Sequence, residues 1–198
     1  MAWGPTIYAW QALGVFLTGV AIKLMDDHLD REQDRSAGLL NWSDRLGRAT
    51  LPYALAALLL AGVLDLRAAA SLFFASYAVG MGRGLGQQLP SGLRGYQEIG
   101  LSLVVGAAAA GLRYMGLALI LMGAVQLADD ILDRREDTAA QSAKRNSGAV
   151  DLTWLTERIL GVLLLLVLAV LIDWAETLMV AAAWWIVSLI GRKEAPER

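Results

Sequence analysis

The chain has 198 residues, 57% of them hydrophobic and only 18% charged, with a mean hydropathy of +0.49; that is too apolar for an ordinary soluble domain. It contains no cysteine, which excludes a disulfide, a zinc–thiolate centre and a cysteine nucleophile. The net charge of −2 offers nothing to a nucleic acid, and the useful information lies in where the charges fall.

The first apolar run, from about Thr6 to the acidic cluster at Asp26, is long enough to cross a hydrocarbon core. Trp3, Tyr8 and Trp10 sit where an aromatic belt would hold its outer end. No Lys or Arg precedes Lys23 and no small-residue cleavage site leads into a soluble domain, so this run is expected to stay as a helix rather than be removed as a signal peptide. Residues 31–50 are polar and read as a loop, with Leu51-Pro52 opening the next helix. Residues 51–81 are apolar except for Asp65-Leu66-Arg67. Unbroken, they would make a helix about 46 Å long against a core of about 30 Å, so two helices joined at Asp65 are predicted. Residues 82–95 form a glycine-rich loop with Gln87, Gln88 and Pro90. The run from Ile99 divides at Gly111-Leu112-Arg113, a polar segment covers residues 138–153, and the run from Arg158 to Gly191 divides at Asp173-Trp174-Ala175-Glu176. The expected fold is an all-α polytopic transmembrane bundle of about seven helices, with residues 1–198 forming a single integral-membrane domain.

Charge asymmetry orients this bundle in the cell membrane. With the N-terminus outside, the loops after the first, third and fifth predicted helices and the C-terminal tail are cytoplasmic. They carry Arg31, Arg35, Arg45, Arg48, Arg83, Arg94, Arg134, Arg135, Lys144, Arg145, Arg158, Arg192, Lys193 and Arg198. Only Arg67 and Arg113 fall on the other side, as the positive-inside rule requires.

Two stretches on the cytoplasmic side share one spelling. Asp26-Asp27-His28-Leu29-Asp30, with Asp34, returns as Asp129-Asp130-Ile131-Leu132-Asp133, with Asp137, so DDxxDxxxD occurs twice. On a helix, steps of about 100° put Asp26, Asp30, Asp34 and Asp27 at roughly 0°, 40°, 80° and 100°, on one face. Such carboxylates repel by up to about 4 kcal/mol per close pair at an effective dielectric near 20. They call for a cation, and an all-oxygen ligand set suits a hard one such as Mg²⁺. The motifs end the first and fifth predicted helices, an even separation that gives a parallel internal repeat with halves of about 1–98 and 99–198 and a shared site between them. Gly106-Ala107-Ala108-Ala109-Ala110 and Gly14, Gly19, Gly116 and Gly123 are the small residues that close helix packing in membranes favours.

The paired motifs, four helices apart and at the cytoplasmic ends, resemble the UbiA superfamily of intramembrane prenyltransferases, whose first motif reads (N/D)DxxDxxxD. The resemblance runs from the first motif to near the C-terminus. Asp26 stands where the family most often has Asn, and seven helices are spelled here where the family usually has nine. It implies that Asp26, Asp27, Asp30 and Asp34, with Asp129, Asp130, Asp133 and Asp137, hold Mg²⁺ on the diphosphate of an isoprenyl donor, with Asp27, Asp30, Asp130 and Asp133 central to catalysis. An allylic cation then passes to a lipophilic, membrane-soluble acceptor. Cations on the diphosphate stabilise the leaving group, and an apolar cavity excludes water from the carbocation. Aromatic faces such as Tyr77, Tyr96, Trp42 or Tyr114 are available to stabilise it. Lys23, Arg35, Arg83, Arg94, Lys144 and Arg145, together with Arg31 and Arg48, are on the correct side to meet phosphate oxygens.

Simpler roles compete. Lys23 is equally placed for an i,i+3 or i,i+4 salt bridge to Asp26 or Asp27, His28 falls off the acidic face, towards packing or an interface, and Arg31, Arg134 and Arg135 balance local charge. Asp65, Asp173 and Glu176 mark outer turns, and Trp184-Trp185 is expected to be lipid-facing or interfacial. The glycine-rich loop is a candidate lid, with Gln87, Gln88, Arg94 and Glu98. Two other functions fit the motifs: a divalent-cation transporter, although the motifs end helices and only Gln11 and Gln126 are polar at mid-depth, and a non-catalytic relative that binds isoprenoid diphosphates or completes its bundle as a homo-oligomer.

Overall fold

The computed structural model describes residues 4–37, 41–144 and 152–192. Among them the structure is all-helical: α1 (Gly4–Leu29), α2 (Arg31–Ala37), α3 (Trp42–Leu46), α4 (Thr50–Leu64), α5 (Leu66–Gly80), α6 (Gly95–Ala110), α7 (Leu112–Lys144), α8 (Leu152–Ile172) and α9 (Trp174–Arg192). Short 3-10 turns at Gly47–Ala49 and Met81–Gly84 lead into and out of α4 and α5. The seven predicted helices correspond to α1 and α4 to α9.

Each predicted division falls where a residue can stop one helix and start another. Asp65 is extended (φ −153, ψ 94). Its N–H closes α4 on the Ala61 carbonyl at 2.8 Å, and its Oδ1 accepts from the Arg67 and Ala68 amides at 3.0 and 3.1 Å. One side chain thus satisfies two of the orphan donors of α5. Asp173 does the same for α9, accepting from the Ala175 and Glu176 amides at 3.1 Å each. Between α6 and α7 the break is Gly111, whose φ of +95 suits glycine.

Two expectations need correction. Residues 31–37 and 42–50 are helical rather than a loop; the backbone ladder passes through the bend at Asp30 into α2, its amide bonding the Asp26 carbonyl at 2.9 Å and the Asp34 amide bonding the Asp30 carbonyl at 2.8 Å. The polar segment after the second motif is also helical at first. α7 runs 33 residues to Lys144, so the motif lies within the helix. Residues 134–144 contain no Gly or Pro to stop it.

Four stretches are long and apolar enough to span a membrane: Ile7–Leu29, Trp42–Leu64, Leu112–Leu132 and Thr153–Ile172. Leu66–Gly80 and Trp174–Ile190 are shorter apolar helices. The outer surface is correspondingly greasy, with Val63 84%, Leu112 83% and Leu171 77% exposed. A surface of this kind suits lipid rather than water.

Small residues bring the helices together. α1 packs along α4, where Ala54, Ala57 and Ala61 are buried and a Cβ on Gly14 would sit 3.4 Å from Leu64 Cβ. Gly106 is tighter still, since a Cβ there would meet Met115 Sδ at 2.7 Å and Phe74 Cβ at 2.9 Å. Gly19 and Gly123 have ordinary contacts, and nothing approaches Gly116. α5 and α9 each pack on both α1 and α7, so the two motif helices stand diagonally across a four-helix ring. Val15, Leu72, Met115, Leu121 and Val180 fill its centre.

Candidate functional site

The ring brings both acidic motifs to one end. Tyr8 and Gln11, near the start of α1, and Tyr114, near the start of α7, line a single cavity of about 370 Å³ with Asp65, Asp173 and Glu176. α1 and α7 therefore run in the same direction, and their acidic segments lie together at the opposite end.

In the first motif Asp27 is only 3% exposed. Its Oδ1 takes the Lys23 ammonium at 2.8 Å, and its Oδ2 accepts the Trp42 amide at 3.0 Å. Its backbone carbonyl receives Asn41 Nδ2 at 2.6 Å and Ser43 Oγ at 3.0 Å. Asn41 also donates to Asp34 Oδ2 at 2.7 Å and, as N-cap of α3, accepts the Ser43 amide at 2.7 Å. The segment after α1 is thus folded back and fastened to Asp27. Asp26 and Asp30 are exposed, and Asp26 experiences the charges of Asp27, Asp30 and Asp34 together. Arg31 pairs with Asp44 at 2.8 Å. His28 is half-buried, with Nδ1 unpartnered among the described residues.

In the second motif Asp130 Oδ2 is paired with Arg158 of α8 at 3.0 Å, and Gln126 lies 3.5 Å from its other oxygen. Asp129 Oδ1 accepts the indole N–H of Trp184, on α9, at 2.9 Å. Trp184 is thus partly buried with its indole N–H turned to the second motif, whereas its neighbour Trp185 is 56% exposed. The motifs are electrically linked: Lys23, on α1, lies within reach of the charges of Asp26, Asp27 and Asp129.

The remaining candidates are more scattered. Arg35 and Arg94 are exposed, and Arg94 precedes α6, its amide donating to Gln97 Oε1 at 2.8 Å. Backbone positions place Asp133, Asp137 and Lys144 on α7 and Arg83 in the 3-10 turn after α5; their side chains, and Arg145 entirely, lie outside the described residues. The glycine-rich segment is an ordered hairpin, with Gln88 bridging Arg94. Tyr77 and Ser91 both donate to Glu98, and these two bonds hold its carboxyl below the usual range. Asn41, Arg158 and Trp184 are the contributors missed from sequence. Asn41 could have been found, as an Asn two residues ahead of a Ser at a helix start; the other two arrive through tertiary packing.

The donor chemistry fits a hard divalent cation, since every candidate ligand is a carboxylate. Among the described residues no group of three or more His, Asp or Glu is gathered as a metal site. Asp26 and Asp30 are open, while Asp27, Asp34, Asp129 and Asp130 are held by protein donors. No family model, curated protein or solved structure matches the chain. Fold and site therefore define its class: among the described residues, an all-helical bundle with four helices long and apolar enough to span a membrane and two acidic motifs at one end.

Proposed function

We propose that this protein is a Mg²⁺-dependent intramembrane prenyltransferase of the UbiA type, moving an isoprenyl group from its diphosphate to a lipophilic acceptor. The observation that carries the reading is the delivery of two identical acidic motifs, on diagonal helices, to one end of the bundle, with Lys23 in the field of both. Packing supports a parallel repeat: α5, the second long helix after α1, lies against α7, and α9, the second long helix after α7, lies against α1. On this reading the N-terminus is outside, and the motifs and C-terminus are cytoplasmic.

Asp26, Asp30, Asp129 and Asp130, with Asp133 and Asp137 from α7, would hold Mg²⁺, which supplies neutralisation of charge on the leaving diphosphate. Lys23 adds a fixed positive charge one turn before the first motif. The apolar, lipid-exposed flanks of the helices below the site would carry the prenyl chain, and the packed apolar core beneath would keep water from the allylic centre. Asp27 fastens residues 41–43 beside the motif, so the mouth of the site has a defined wall. The transporter reading needs a polar path along the ring, but its centre is closed by Val15, Leu72, Met115, Leu121 and Val180.

The test is turnover. Purified protein in lipid nanodiscs, given isoprenyl diphosphates, Mg²⁺ and lipophilic acceptors, is expected to release diphosphate and form a prenylated product, and Asp30→Ala or Asp130→Ala is expected to abolish both. Absence of release with every donor, combined with Mg²⁺ flux into proteoliposomes, favours the transporter.

A further inference from the structure

At the end of the bundle opposite the motifs, the ring of α1, α5, α7 and α9 stays open as the cavity of about 370 Å³, a size that suits a small headgroup. The core residue Val15 closes it below. Three carboxylates line it, and they are not equivalent. Asp65 and Asp173 each cap a helix through Oδ1, whereas Glu176, in the field of both, caps nothing. Its Oε1 is shielded from solvent and has no hydrogen-bond partner among the described residues. A buried acceptor without a donor is costly, so this oxygen calls for one. Tyr8, Tyr114 and Trp174 add aromatic faces to the wall, and Tyr8 and Trp174 are 54% and 63% exposed, so the aromatic side is open to the surroundings of the bundle. Two exposed guanidinium groups stand at the rim. Arg67 lies over the Tyr114 ring, 5.7 Å from its centroid, and Arg113 Nη2 donates to the Ile172 carbonyl at 3.1 Å.

We propose that this cavity binds a zwitterionic headgroup of the phosphoethanolamine kind, its primary ammonium seated on Glu176 beside Asp65 and Asp173 and its phosphate held at the rim by Arg67 and Arg113. The charges are laid out for such a ligand, with three negative groups lining the cavity and two positive ones at its mouth. The orphaned oxygen selects the kind of cation. It needs a hydrogen-bond donor, which a primary ammonium offers three times over and a quaternary ammonium lacks. Aromatic faces attract the same cation, whereas to a bare divalent ion they offer no oxygen ligand and the rim arginines repel it. Amino phospholipids carry this headgroup to the open aromatic side, and the free phosphoamine carries it through water. The inference goes beyond prenyl transfer and uses none of the motif carboxylates.

The experiment releases the full chain from nanodiscs made of equal parts phosphatidylethanolamine, phosphatidylcholine and phosphatidylglycerol and counts the lipids it retains by native mass spectrometry. Wild type is compared with Glu176→Gln and with Asp173→Asn, which keeps the oxygen that caps α9 and removes only the charge. Wild type should retain phosphatidylethanolamine over each of the other two by about tenfold or more, the span of one charge-assisted hydrogen bond. That preference should fall to near parity in Glu176→Gln and weaken in Asp173→Asn. Millimolar free phosphoethanolamine then separates the two sources: displacement of the lipid shows that the headgroup alone suffices, and retention against it shows that the acyl chains are needed, and either result upholds the site if Glu176→Gln abolishes it. Equal retention of the three lipids by wild type, or a preference that survives Glu176→Gln, overturns the proposal. So does Ca²⁺ raising the melting temperature of wild type but not of Glu176→Gln in the absence of any lipid preference, which would make the cavity a metal site instead. If Glu176→Gln does not fold, Asp173→Asn and Arg67→Gln decide by the same comparison, and a preference unchanged in both overturns the site.

Discussion

Removing the Asp27 carboxylate should open the segment that follows α1. Two interactions are lost in Asp27→Ala: the acceptor of the Trp42 amide at 3.0 Å and the partner of Lys23 at 2.8 Å. An amide bonded to a buried carboxylate contributes about 1.5–3 kcal/mol. The Lys23 pair adds at most about 1 kcal/mol, because the lysine side chain is 40% exposed and is screened. The total, about 1.5–4 kcal/mol, corresponds to an opening equilibrium raised by about tenfold to several hundredfold at 1.4 kcal/mol per decade. Limited trypsinolysis in detergent reads this at Arg45 and Arg48, in the fastened segment, because cleavage follows the open population when opening is fast. Asp27→Asn keeps an acceptor for the Trp42 amide and should fall between wild type and Asp27→Ala. Cleavage of Asp27→Ala at the wild-type rate, or an Asn variant as labile as the Ala variant, would refute this account of how the segment is held.

Gly106→Leu should destabilise the bundle by about 1–3 kcal/mol or more, since even a Cβ overlaps Met115 and Phe74; detergent-denaturation midpoints measure it, and a wild-type midpoint contradicts the close packing. Asp65→Ala and Asp173→Ala should each cost about 1 kcal/mol through loss of a two-amide cap, read by the same titration, whereas Asn at either site should be nearly neutral. Glu98 has a depressed carboxyl pKa, so its contribution is fully present above the unfolded value and is lost as pH falls through the folded one. Amide exchange in residues 85–98 should accelerate on acidification below the usual carboxylate range, and Tyr77→Phe should shift that acceleration to higher pH; exchange indifferent to both leaves Glu98 without this role.

Much of the fold can be read from the chain because interruptions in apolar runs are conspicuous. Asp65, Gly111 and Asp173, each with a charged residue two or three positions on, interrupt otherwise apolar sequence, and each proves to be a helix break with a definable cap. α2 and α3 are not legible in the same way. They are short and polar; α2 continues the α1 ladder through the bend at Asp30, and α3 is fastened by Asp27 and capped by Asn41, arrangements that no periodicity reports. The acidic motifs announce themselves by repetition, but their partners do not. Arg158 reads as one more cytoplasmic arginine and Trp184 as one of a lipid-facing pair until α8 and α9 bring them to Asp130 and Asp129. The regular one-face geometry expected of the carboxylates survives at the backbone through Asp30, yet it omits the competition: Lys23, Asn41, Trp42, Trp184 and Arg158 already occupy four of the eight motif side chains.

The central claim is that the two motifs form one cation-dependent diphosphate site. Pulsed EPR of bound Mn²⁺, with ³¹P coupling from a non-hydrolysable isoprenyl diphosphate analogue, tests it on the intact protein in lipid. The expected result is Mn²⁺–phosphorus coupling in wild type that disappears in both Asp30→Ala and Asp129→Ala. Coupling that survives loss of one motif, or no bound Mn²⁺ at all, would contradict a shared site.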